Sequence, residues 1–268
     1  MSVATLTGSE RVARSFARAK DERRLAVIVY LTVGYPDRAA TRGLLRAALD
    51  AGADILELGV PFSDPLADGA TVQRASEVAL RNGVTLADCL AEAREIVAER
   101  DATALFMGYT NPFLRFGAAR LAEQGRACGL SGVIVPDLPT EESAVLDDAL
   151  APVGLARIDL YAPTTPDARL DELLPRSRGF AYCVSLTGVT GARQALGTDV
   201  AAFVGRVRAR TQLPVAVGFG ISQPEHVRAL RGVADGVVVG SAALDAVGRG
   251  GERGLRDFVS SLVVAGRT

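Results

Sequence analysis

The feature of this sequence that most limits its fold is a repeated alternation between short apolar runs and longer amphipathic stretches. Runs rich in valine, isoleucine and leucine recur from residue 25 to the C-terminus. Runs that are almost entirely apolar are typical of strands buried on both faces, as in parallel sheets. The stretches between them repeat apolar residues at three- and four-residue spacing, which is typical of helices packed on such a sheet. Strands are predicted at 26–32, 55–58, 104–107, 132–135, 156–160, 180–184, 215–217 and 236–239.

Eight strand-then-helix units in about 250 residues predict an α/β fold, a closed (β/α)8 TIM barrel. Helices are predicted at 42–51, 86–98, 118–128 and 200–208, and an extra N-terminal helix at 10–19 with Ser9 as its N-cap. An open doubly wound sheet is the alternative, because periodicity does not reveal closure. Since no linker or low-complexity tract divides the chain, residues 1–268 are predicted to form a single barrel domain.

The composition excludes several kinds of chemistry and several partners. The 30 basic and 31 acidic residues leave a formal charge of −1, which gives no electrostatic reason to expect nucleic acid or a membrane as partner. Lys20 is the single lysine and His226 the single histidine. A Ser-His-Asp triad, a metal site of several histidines and a Schiff-base lysine within the barrel are therefore not expected. Carboxylates, hydroxyls and backbone amides are left to carry any reaction, with no metal.

The cysteines and the N-terminal region indicate a soluble cytoplasmic protein. Cys89, Cys128 and Cys183 are odd in number and far apart, which is typical of a reducing compartment, and they are expected to pack as small apolar residues. The first 24 residues are rich in charge and contain no apolar signal-peptide core. The longest apolar-rich run, 25–33, is far shorter than the ~20 residues of a membrane span.

Two carboxylates stand out near the second predicted strand. Glu57 lies between Leu56 and Leu58, where an ionised side chain would face a poor solvent for charge. Such a position raises a carboxyl pKa toward neutrality and suits a general acid or base, although a structural Glu bonded to neighbouring amides is an equal alternative. Asp68 follows in a loop crowded with Pro and Gly and on its own could be a turn or N-cap residue. Together they could form a two-carboxylate site.

Glycines cluster after the sixth, seventh and eighth predicted strands, at 188–191, 218–220 and 240–241. Glycine lets backbone N–H groups approach an anion, and barrels commonly bind phosphate where these last loops meet. The sequence therefore predicts a phosphate site and, with no GxGxxG or Walker A run, no dinucleotide or P-loop site. Residues 222–225 predict a capping box with His226 in the first helical turn, at the surface. Aromatic residues at strand ends could line a pocket for a flat ring or simply pack: Tyr30, Phe62, Tyr109, Tyr182 and Phe219.

Residues 56–69, LELGVPFSDPLADG, closely resemble the signature of the tryptophan synthase α subunit family. The resemblance continues in family order through 31–36, 133–139, 188–192 and 218–221. It implies a (β/α)8 barrel lyase that cleaves indole-3-glycerol phosphate to indole and glyceraldehyde 3-phosphate in L-tryptophan biosynthesis. It also implies a pyridoxal-phosphate-dependent β subunit as partner, in an α2β2 heterotetramer, and no cofactor in this chain.

Position by position, the resemblance implies that Glu57 is the general acid/base and that Asp68 holds the indole N–H. It makes Thr190, on a mobile loop, the residue that closes over Asp68, and it makes Pro61 and Asp64 face the β subunit. Backbone groups would hold the phosphate at Gly191, Gly220, Gly240 and Ser241. Aromatic side chains would line the substrate pocket at Tyr30, Tyr109, Tyr182 and Phe219.

The composition independently suits this reaction. A retro-aldol cleavage needs a sink for the released electron pair, and aldolases usually provide a lysine iminium or a metal. This chain offers neither, but an indole ring protonated at C3 can serve as its own sink. Glu57 could carry both proton transfers if its pKa lies near the working pH, and closure of 187–198 would exclude water.

Two residues depart from the family pattern, and several rival functions share these features. Leu186 stands where many relatives carry a polar or basic residue, and Tyr35 stands where some carry an acidic one, which puts loop coupling to a β subunit in doubt more than the chemistry. The rivals are a stand-alone lyase releasing free indole, another phosphate-binding barrel such as an isomerase, and a non-catalytic activator of a β subunit. Indole-glycerol-phosphate synthase needs a strand lysine, and Lys20 precedes the barrel. Glu57 and Asp68 argue against the non-catalytic reading.

Overall fold

One parallel sheet forms the centre of the chain. The computed structural model describes residues 6–184, 196–218 and 220–268. Within them the sheet has nine strands in the order β5-β4-β3-β2-β1-β9-β8-β7-β6. Their bounds are β1 Ala26–Thr32, β2 Ile55–Gly59, β3 Thr103–Met107, β4 Gly132–Ile134, β5 Ala156–Ile158, β6 Leu160–Tyr161, β7 Ala181–Val184, β8 Val215–Gly218 and β9 Gly236–Val239.

The sheet closes on itself at Asp159. β5 and β6 end the strand order, yet only Asp159 separates them along the chain. β5 pairs with β4, β6 pairs with β7, and the N–H of Tyr182 donates to the carbonyl of Asp159 at 3.2 Å. The fifth predicted strand is therefore one extended segment in two parts, bonded on one side before Asp159 and on the other side after it. The predicted (β/α)8 barrel is confirmed, and the open sheet is excluded.

Helices surround the barrel in the expected alternation with strands. They are α1 Gly8–Asp21, α2 Ala40–Asp50, α3 Ala70–Arg81, α4 Leu86–Arg100, α5 Thr110–Phe116, α6 Ala118–Ala127, α7 Ala144–Leu150, α8 Asp167–Leu173, α9 Leu196–Arg208, α10 Pro224–Ala229 and α11 Ser241–Ala265. Short 3-10 turns lie at Thr140–Glu142, Ala151–Val153 and Leu174–Arg176. The backbone leaves helical geometry inside α11 at Gly250 and Gly251. None of the helices in the described residues is long and apolar enough to cross a membrane.

The extra N-terminal helix packs against one end of the barrel. Val12 and Phe16 of α1 are buried with the side chains that fill the barrel interior, and the Phe16 and Phe180 ring centroids are 5.6 Å apart. The helix begins earlier than predicted, because its N-cap is Thr7 rather than Ser9. The Thr7 hydroxyl accepts the N–H of Glu10 at 3.3 Å, and the Glu10 carboxylate accepts the N–H of Thr7 at 2.7 Å. This capping box was missed because Ser9 is also a good cap residue.

The alternation of side chains along β2 puts Glu57 inside the barrel. Leu56 and Leu58 belong to the core between sheet and helices, whereas Ile55 packs with the barrel interior. Because successive side chains of a strand point to opposite faces, Glu57 shares the interior face with Ile55. Ile55 lies in the apolar interior near the α1 end, and Glu57 lies one interior position closer to the carboxyl end. Barrel enzymes carry their active sites at that carboxyl end.

Candidate active site

A cavity of about 350 Å³ opens at the carboxyl end of the barrel. Residues from loops and strand ends all around the barrel line it: Tyr30, Glu57, Asp68, Gly69, Val72, Met107, Tyr182, Gly220, Ile221, Ser222, Val238, Gly240, Ser241 and Ala242. Grooves of about 620 and 600 Å³ lie at the opposite end, against α1. They hold neither predicted carboxylate nor any predicted phosphate residue, so the smaller cavity is the one that brings the two kinds of predicted residue together.

Glu57 is fully buried and unpaired within the described residues. Its exposed fraction is 0%, and neither carboxyl oxygen has a hydrogen-bond partner among residues 6–184, 196–218 and 220–268. Burial raises the pKa of Glu57 to about 8, because a charged carboxylate is poorly solvated there. Buried polar groups normally have partners, and an exception that faces a cavity is a mark of a reactive group. The structural alternative, a Glu bonded to strand amides, is not what the structure shows.

Asp68 lies on the cavity wall in a different environment. Burial raises its pKa to about 6, and a hydrogen bond from the Tyr109 hydroxyl partly offsets that rise. The same hydroxyl oxygen accepts the N–H of Ala67 at 3.0 Å. The Phe62 ring packs on Tyr109 with centroids 5.3 Å apart. Glu57 and Asp68 therefore have separated pKa values, and near pH 7 the first is mostly protonated and the second mostly ionised.

Two tyrosines line the cavity, and each depends on a glycine. A Cβ at Gly59 would lie 2.2 Å from the Tyr30 hydroxyl, and a Cβ at Gly218 would lie 2.4 Å from the Tyr182 ring. Any larger residue would push these rings out of place. Tyr30 is further held by a hydrogen bond between its hydroxyl and Thr32 Oγ1 at 3.1 Å. Both rings are almost completely buried, as expected for the walls of a pocket that receives a flat apolar group.

The opposite wall of the cavity is built from backbone. Gly240 is the N-cap of α11 and Ser241 its first residue, so the N–H groups of the first turn lack partners within the helix and carry its positive dipole end. Gly220 has φ of +78°, a backbone conformation that favours glycine. None of the described residues that line the cavity is Lys, Arg or His. An anion there would be held by amide groups rather than by charged side chains.

Most of the predicted catalytic and binding residues line one cavity; three lie outside the described residues, and Tyr109 lies beside the cavity instead. Tyr30, Tyr182, Gly220, Gly240 and Ser241 line the same cavity as the two carboxylates. Thr190, Gly191 and Phe219 lie outside the described residues, as does Leu186. Tyr109 is not among the lining residues and instead contacts the loop that carries Asp68.

Sequence reasoning missed part of the cavity and misread one helix start. The lining residues that it did not assign to the site are Gly69, Val72, Met107, Ile221, Ser222, Val238 and Ala242. Among them, Gly69 directly follows Asp68, and Ile221 and Ala242 directly follow predicted phosphate positions, so their neighbours in the sequence carried a usable signal. The predicted capping box at 222–225 is wrong, because α10 begins at Pro224 and its N-cap Gln223 makes no side-chain bond. His226 instead accepts the N–H of Ser222 at Nδ1, 3.3 Å away, and is partly exposed.

The loop after β2 presents a mixed surface. Asp64 is exposed and the Leu66 side chain is 92% exposed, whereas Pro61 is buried in this chain. Because the Pro61 ring is packed inside this chain, it holds the conformation of the loop and is not available for contact with a partner. Leu66 is the most exposed large apolar residue among those described.

The fold is that of the (β/α)8 barrel enzymes, and one cavity at its carboxyl end is lined by two carboxylates and by the backbone at Gly220, Gly240 and Ser241. The sequence matches the family described as "Tryptophan synthase alpha chain" over residues 16–264. The tryptophan synthase alpha chain of Chloroflexus aurantiacus is 49% identical over 240 residues, 89% of this chain and 90% of that protein. That of Roseiflexus castenholzii is 51% identical over 239 residues, 88% of this chain and 91% of that protein. Mycobacterium tuberculosis tryptophan synthase superposes with a TM-score of 0.90 at 39% identity, over 96% of this chain and 98% of that chain.

The chain belongs to the tryptophan synthase alpha chain family. Members of this family are lyases of tryptophan biosynthesis that cleave indole-3-glycerol phosphate and carry no cofactor of their own. The resemblance identified in the sequence is thereby confirmed.

Proposed function

We propose that this chain cleaves indole-3-glycerol phosphate to indole and glyceraldehyde 3-phosphate, with Glu57 as general acid/base and Asp68 as the group that holds the indole nitrogen. The observation that carries the proposal is the Glu57 carboxyl, which is fully buried and has no hydrogen-bond partner among the described residues. It lies on the wall of one cavity with Asp68 and the start of α11. Because burying an unpaired carboxyl costs free energy, such a group is expected at a site where it takes part in a reaction.

The substrate would lie across the cavity with its two ends in chemically different surroundings. Its phosphate would bind the backbone amides at Gly220, Gly240 and Ser241, joined by Gly191, where helix and loop N–H groups favour a dianion. Its indole ring would lie between Tyr30 and Tyr182, with Phe219 and Thr190 completing the enclosure. In this orientation the carbon–carbon bond between the indole ring and the glycerol phosphate chain would lie toward Glu57.

The first step is protonation of the indole ring. The Glu57 carboxyl, still protonated at neutral pH, donates its proton to ring carbon C3, and the ring becomes an indolenine cation with its positive charge on nitrogen. Asp68, ionised above pH 6, accepts the ring N–H and stabilises that charge in a buried site, where it is worth more than in water.

The second step breaks the carbon–carbon bond. The Glu57 carboxylate accepts the proton of the hydroxyl on the carbon attached to C3, an aldehyde forms there, and the electron pair of the broken bond returns to the ring. The products are indole and glyceraldehyde 3-phosphate, and Glu57 is protonated again. One carboxyl can serve both transfers because its pKa of about 8 lies near the working pH.

The partner of this reaction is a tryptophan synthase β subunit, which consumes the indole and holds the pyridoxal phosphate. The exposed part of the loop after β2, Asp64 and Leu66, is the surface we assign to that contact, while buried Pro61 holds the loop in shape. Leu66 would supply apolar contact area to that interface, and Asp64 a carboxylate.

The remaining assignments concern the whole chain. We infer that residues 1–268 act as one barrel domain in the cytoplasm. The free thiols of Cys89, Cys128 and Cys183 support a reducing compartment, since all three are buried and none is bonded to another.

The test is a steady-state assay of indole release from indole-3-glycerol phosphate by the purified chain, with and without a purified β subunit. Indole release that the β subunit strongly stimulates supports the proposal as stated. High release without any complex would assign the chain to a stand-alone lyase. No release under either condition would contradict the catalytic proposal and leave an activating role.

A further inference from the structure

The loop after β4 completes the start of a helix that follows β3. Helix α5 begins at Thr110, and its N-cap residue, Tyr109, makes no side-chain capping bond. Asp137 Oδ1 accepts the N–H of Thr110 at 2.9 Å and its hydroxyl at 3.0 Å. A carboxylate at a helix start satisfies an unpaired N–H and interacts favourably with the helix dipole. Asp137 therefore supplies, from a neighbouring loop, the cap that α5 lacks.

The residue immediately before that capped position holds the loop of Asp68. The Tyr109 hydroxyl accepts the N–H of Ala67, which directly precedes Asp68, at 3.0 Å. The Tyr109 ring packs on Phe62 near the other end of the same loop. Tyr109 is 4% exposed, so its ring has little freedom of its own. The position of its hydroxyl is then set by the backbone at the start of α5.

We propose that Asp137 is a positioning residue for the Asp68 carboxylate, acting through the start of helix α5 and the hydroxyl of Tyr109. The Asp137 carboxylate holds the backbone at Thr110, and this determines the position of the adjacent Tyr109. The Tyr109 hydroxyl in turn holds the N–H of Ala67, and so the backbone next to Asp68. Three loops that follow the neighbouring strands β2, β3 and β4 are joined in this way. The inference rests on the proposed role of Asp68 in holding the indole nitrogen.

The surroundings of Asp68 make its ionisation sensitive to this chain of contacts. The titratable groups around it in the described residues are the hydroxyls of Tyr30, Tyr109 and Tyr182 and, on the cavity wall, Glu57. Of these, Tyr109 is the group whose hydrogen bond lowers the pKa of Asp68. A displaced Tyr109 hydroxyl would leave burial unopposed and raise that pKa further.

The test compares Asp137→Ala, Asp137→Asn and Tyr109→Phe in the full-length chain without a β subunit. We expect Asp137→Ala to lower kcat/KM for indole-3-glycerol phosphate on the order of 10-fold, since small misplacement of a catalytic group is costly. The acidic limb of its kcat/KM–pH profile should move to higher pH, as should that of Tyr109→Phe. Asp137→Asn keeps an oxygen acceptor for Thr110 and should restore most of the activity. In the Tyr109→Phe background, Asp137→Ala should have little further effect.

Asp37 offers a matched control. Its Oδ1 accepts the N–H of Ala40 at 2.8 Å, at the start of α2, and it is exposed on the same end of the barrel. Asp37→Ala therefore removes a similar helix-start bond from a loop that the described contacts do not join to Ala67. We expect Asp37→Ala to lose about as much thermal stability as Asp137→Ala, and to leave the acidic limb of the kcat/KM–pH profile unchanged.

A readout independent of turnover separates this inference from the proposed function. The carboxyl ¹³C resonance of Asp68, assigned by its loss in Asp68→Asn, reports the pKa directly. A rise of that pKa in Asp137→Ala and in Tyr109→Phe, with none in Asp37→Ala, supports the positioning role even if the chain releases no indole. An Asp137→Ala variant that loses stability while the Asp68 pKa and the acidic limb stay unchanged would overturn it.

Discussion

Tyr30 and Glu57 are register partners across β1 and β2, and both side chains line the cavity at the carboxyl end of the barrel. Their hydrogen bonding differs. The Tyr30 hydroxyl bonds Thr32, whereas neither Glu57 oxygen has a hydrogen-bond partner in the part of the chain that the structure describes. The polar side chain opposite Glu57 on β1 is thus bonded to Thr32 rather than to Glu57. The same lack of a partner makes Glu57 costly to bury and, in the proposed mechanism, leaves it able to exchange a proton with the substrate.

The separated pKa values predict a bell-shaped pH dependence of kcat/KM. Asp68 must be ionised, so activity should rise through a pKa of about 6. Glu57 must be protonated to begin the reaction, so activity should fall through a pKa of about 8. Steady-state rates from pH 5 to 9 test this, because kcat/KM reports the groups of the free enzyme. A profile that is still rising at pH 9 would be inconsistent with Glu57 acting first as an acid.

The pH dependence of stability should carry the signature of Glu57. Its folded pKa is raised from 4.5 to about 8, so its protonation favours the folded state. The contribution is present in full below pH 4.5 and is lost as the pH rises to about 8, at roughly 1.4 kcal/mol per unit, in total on the order of 5 kcal/mol. Urea unfolding across this range should show a shallower decline in Glu57→Gln than in the parent chain. Equal slopes would mean that Glu57 is paired in the folded protein.

Replacing Gly59 should disturb the pocket through Tyr30. The new Cβ of Gly59→Ala would lie 2.2 Å from the Tyr30 hydroxyl, and overpacking of this kind typically costs about 1–3 kcal/mol. We expect lower stability and a raised KM, because Tyr30 would shift into the cavity. Gly205→Ala is the control, because Gly205 is at an exposed position of helix α9 and a Cβ there has no heavy atom within 4 Å; this substitution should stabilise by up to about 1 kcal/mol. Similar effects of the two substitutions would argue against the contact.

Substitutions at the amino end of the barrel should change the stability of the protein without changing catalysis. Asp54 is buried, accepts the N–H of Val27 at 2.9 Å and pairs with Arg24 at 2.6 Å. Asp54→Ala leaves the buried Arg24 charge without this partner and should destabilise by about 3–5 kcal/mol. Asp101→Ala, which breaks exposed pairs with Arg11 and Arg14, should cost no more than about 1 kcal/mol. Thermal unfolding measures both, and KM of the folded fraction should be unchanged in each.

Strand periodicity was sufficient to predict the barrel, and the pattern around Glu57 was sufficient to predict a buried carboxyl, but not which face of β2 carries it. A charged residue inside an apolar strand must face either the barrel interior or the helix layer. Both solvate charge poorly, and this follows without knowledge of the tertiary structure. The division of the fifth strand at Asp159 could not be predicted, since it depends on which neighbour each half bonds. The N-cap at Thr7 was missed because two adequate cap residues lie close together.

The role of Tyr109 shows the limit of reading loops from sequence. Its place after β3 predicted a pocket wall, but its hydroxyl meets Ala67 on the loop after β2 instead. Neither that contact nor the bond from Thr110 to Asp137 has a local signal, because each joins residues from different loops. Pro61 is similar, since its burial depends on the path of a whole loop.

The most direct test of the account is indole release by Glu57→Gln, measured alongside binding of glycerol 3-phosphate by calorimetry. Glutamine keeps the size and polarity of the side chain but cannot donate or accept the proton. The account predicts that indole release falls to the background rate while glycerol 3-phosphate binds with the parent affinity, because the backbone anion site at Gly220, Gly240 and Ser241 is untouched. Near-normal indole release by this variant would contradict the assignment of Glu57 as the acid/base.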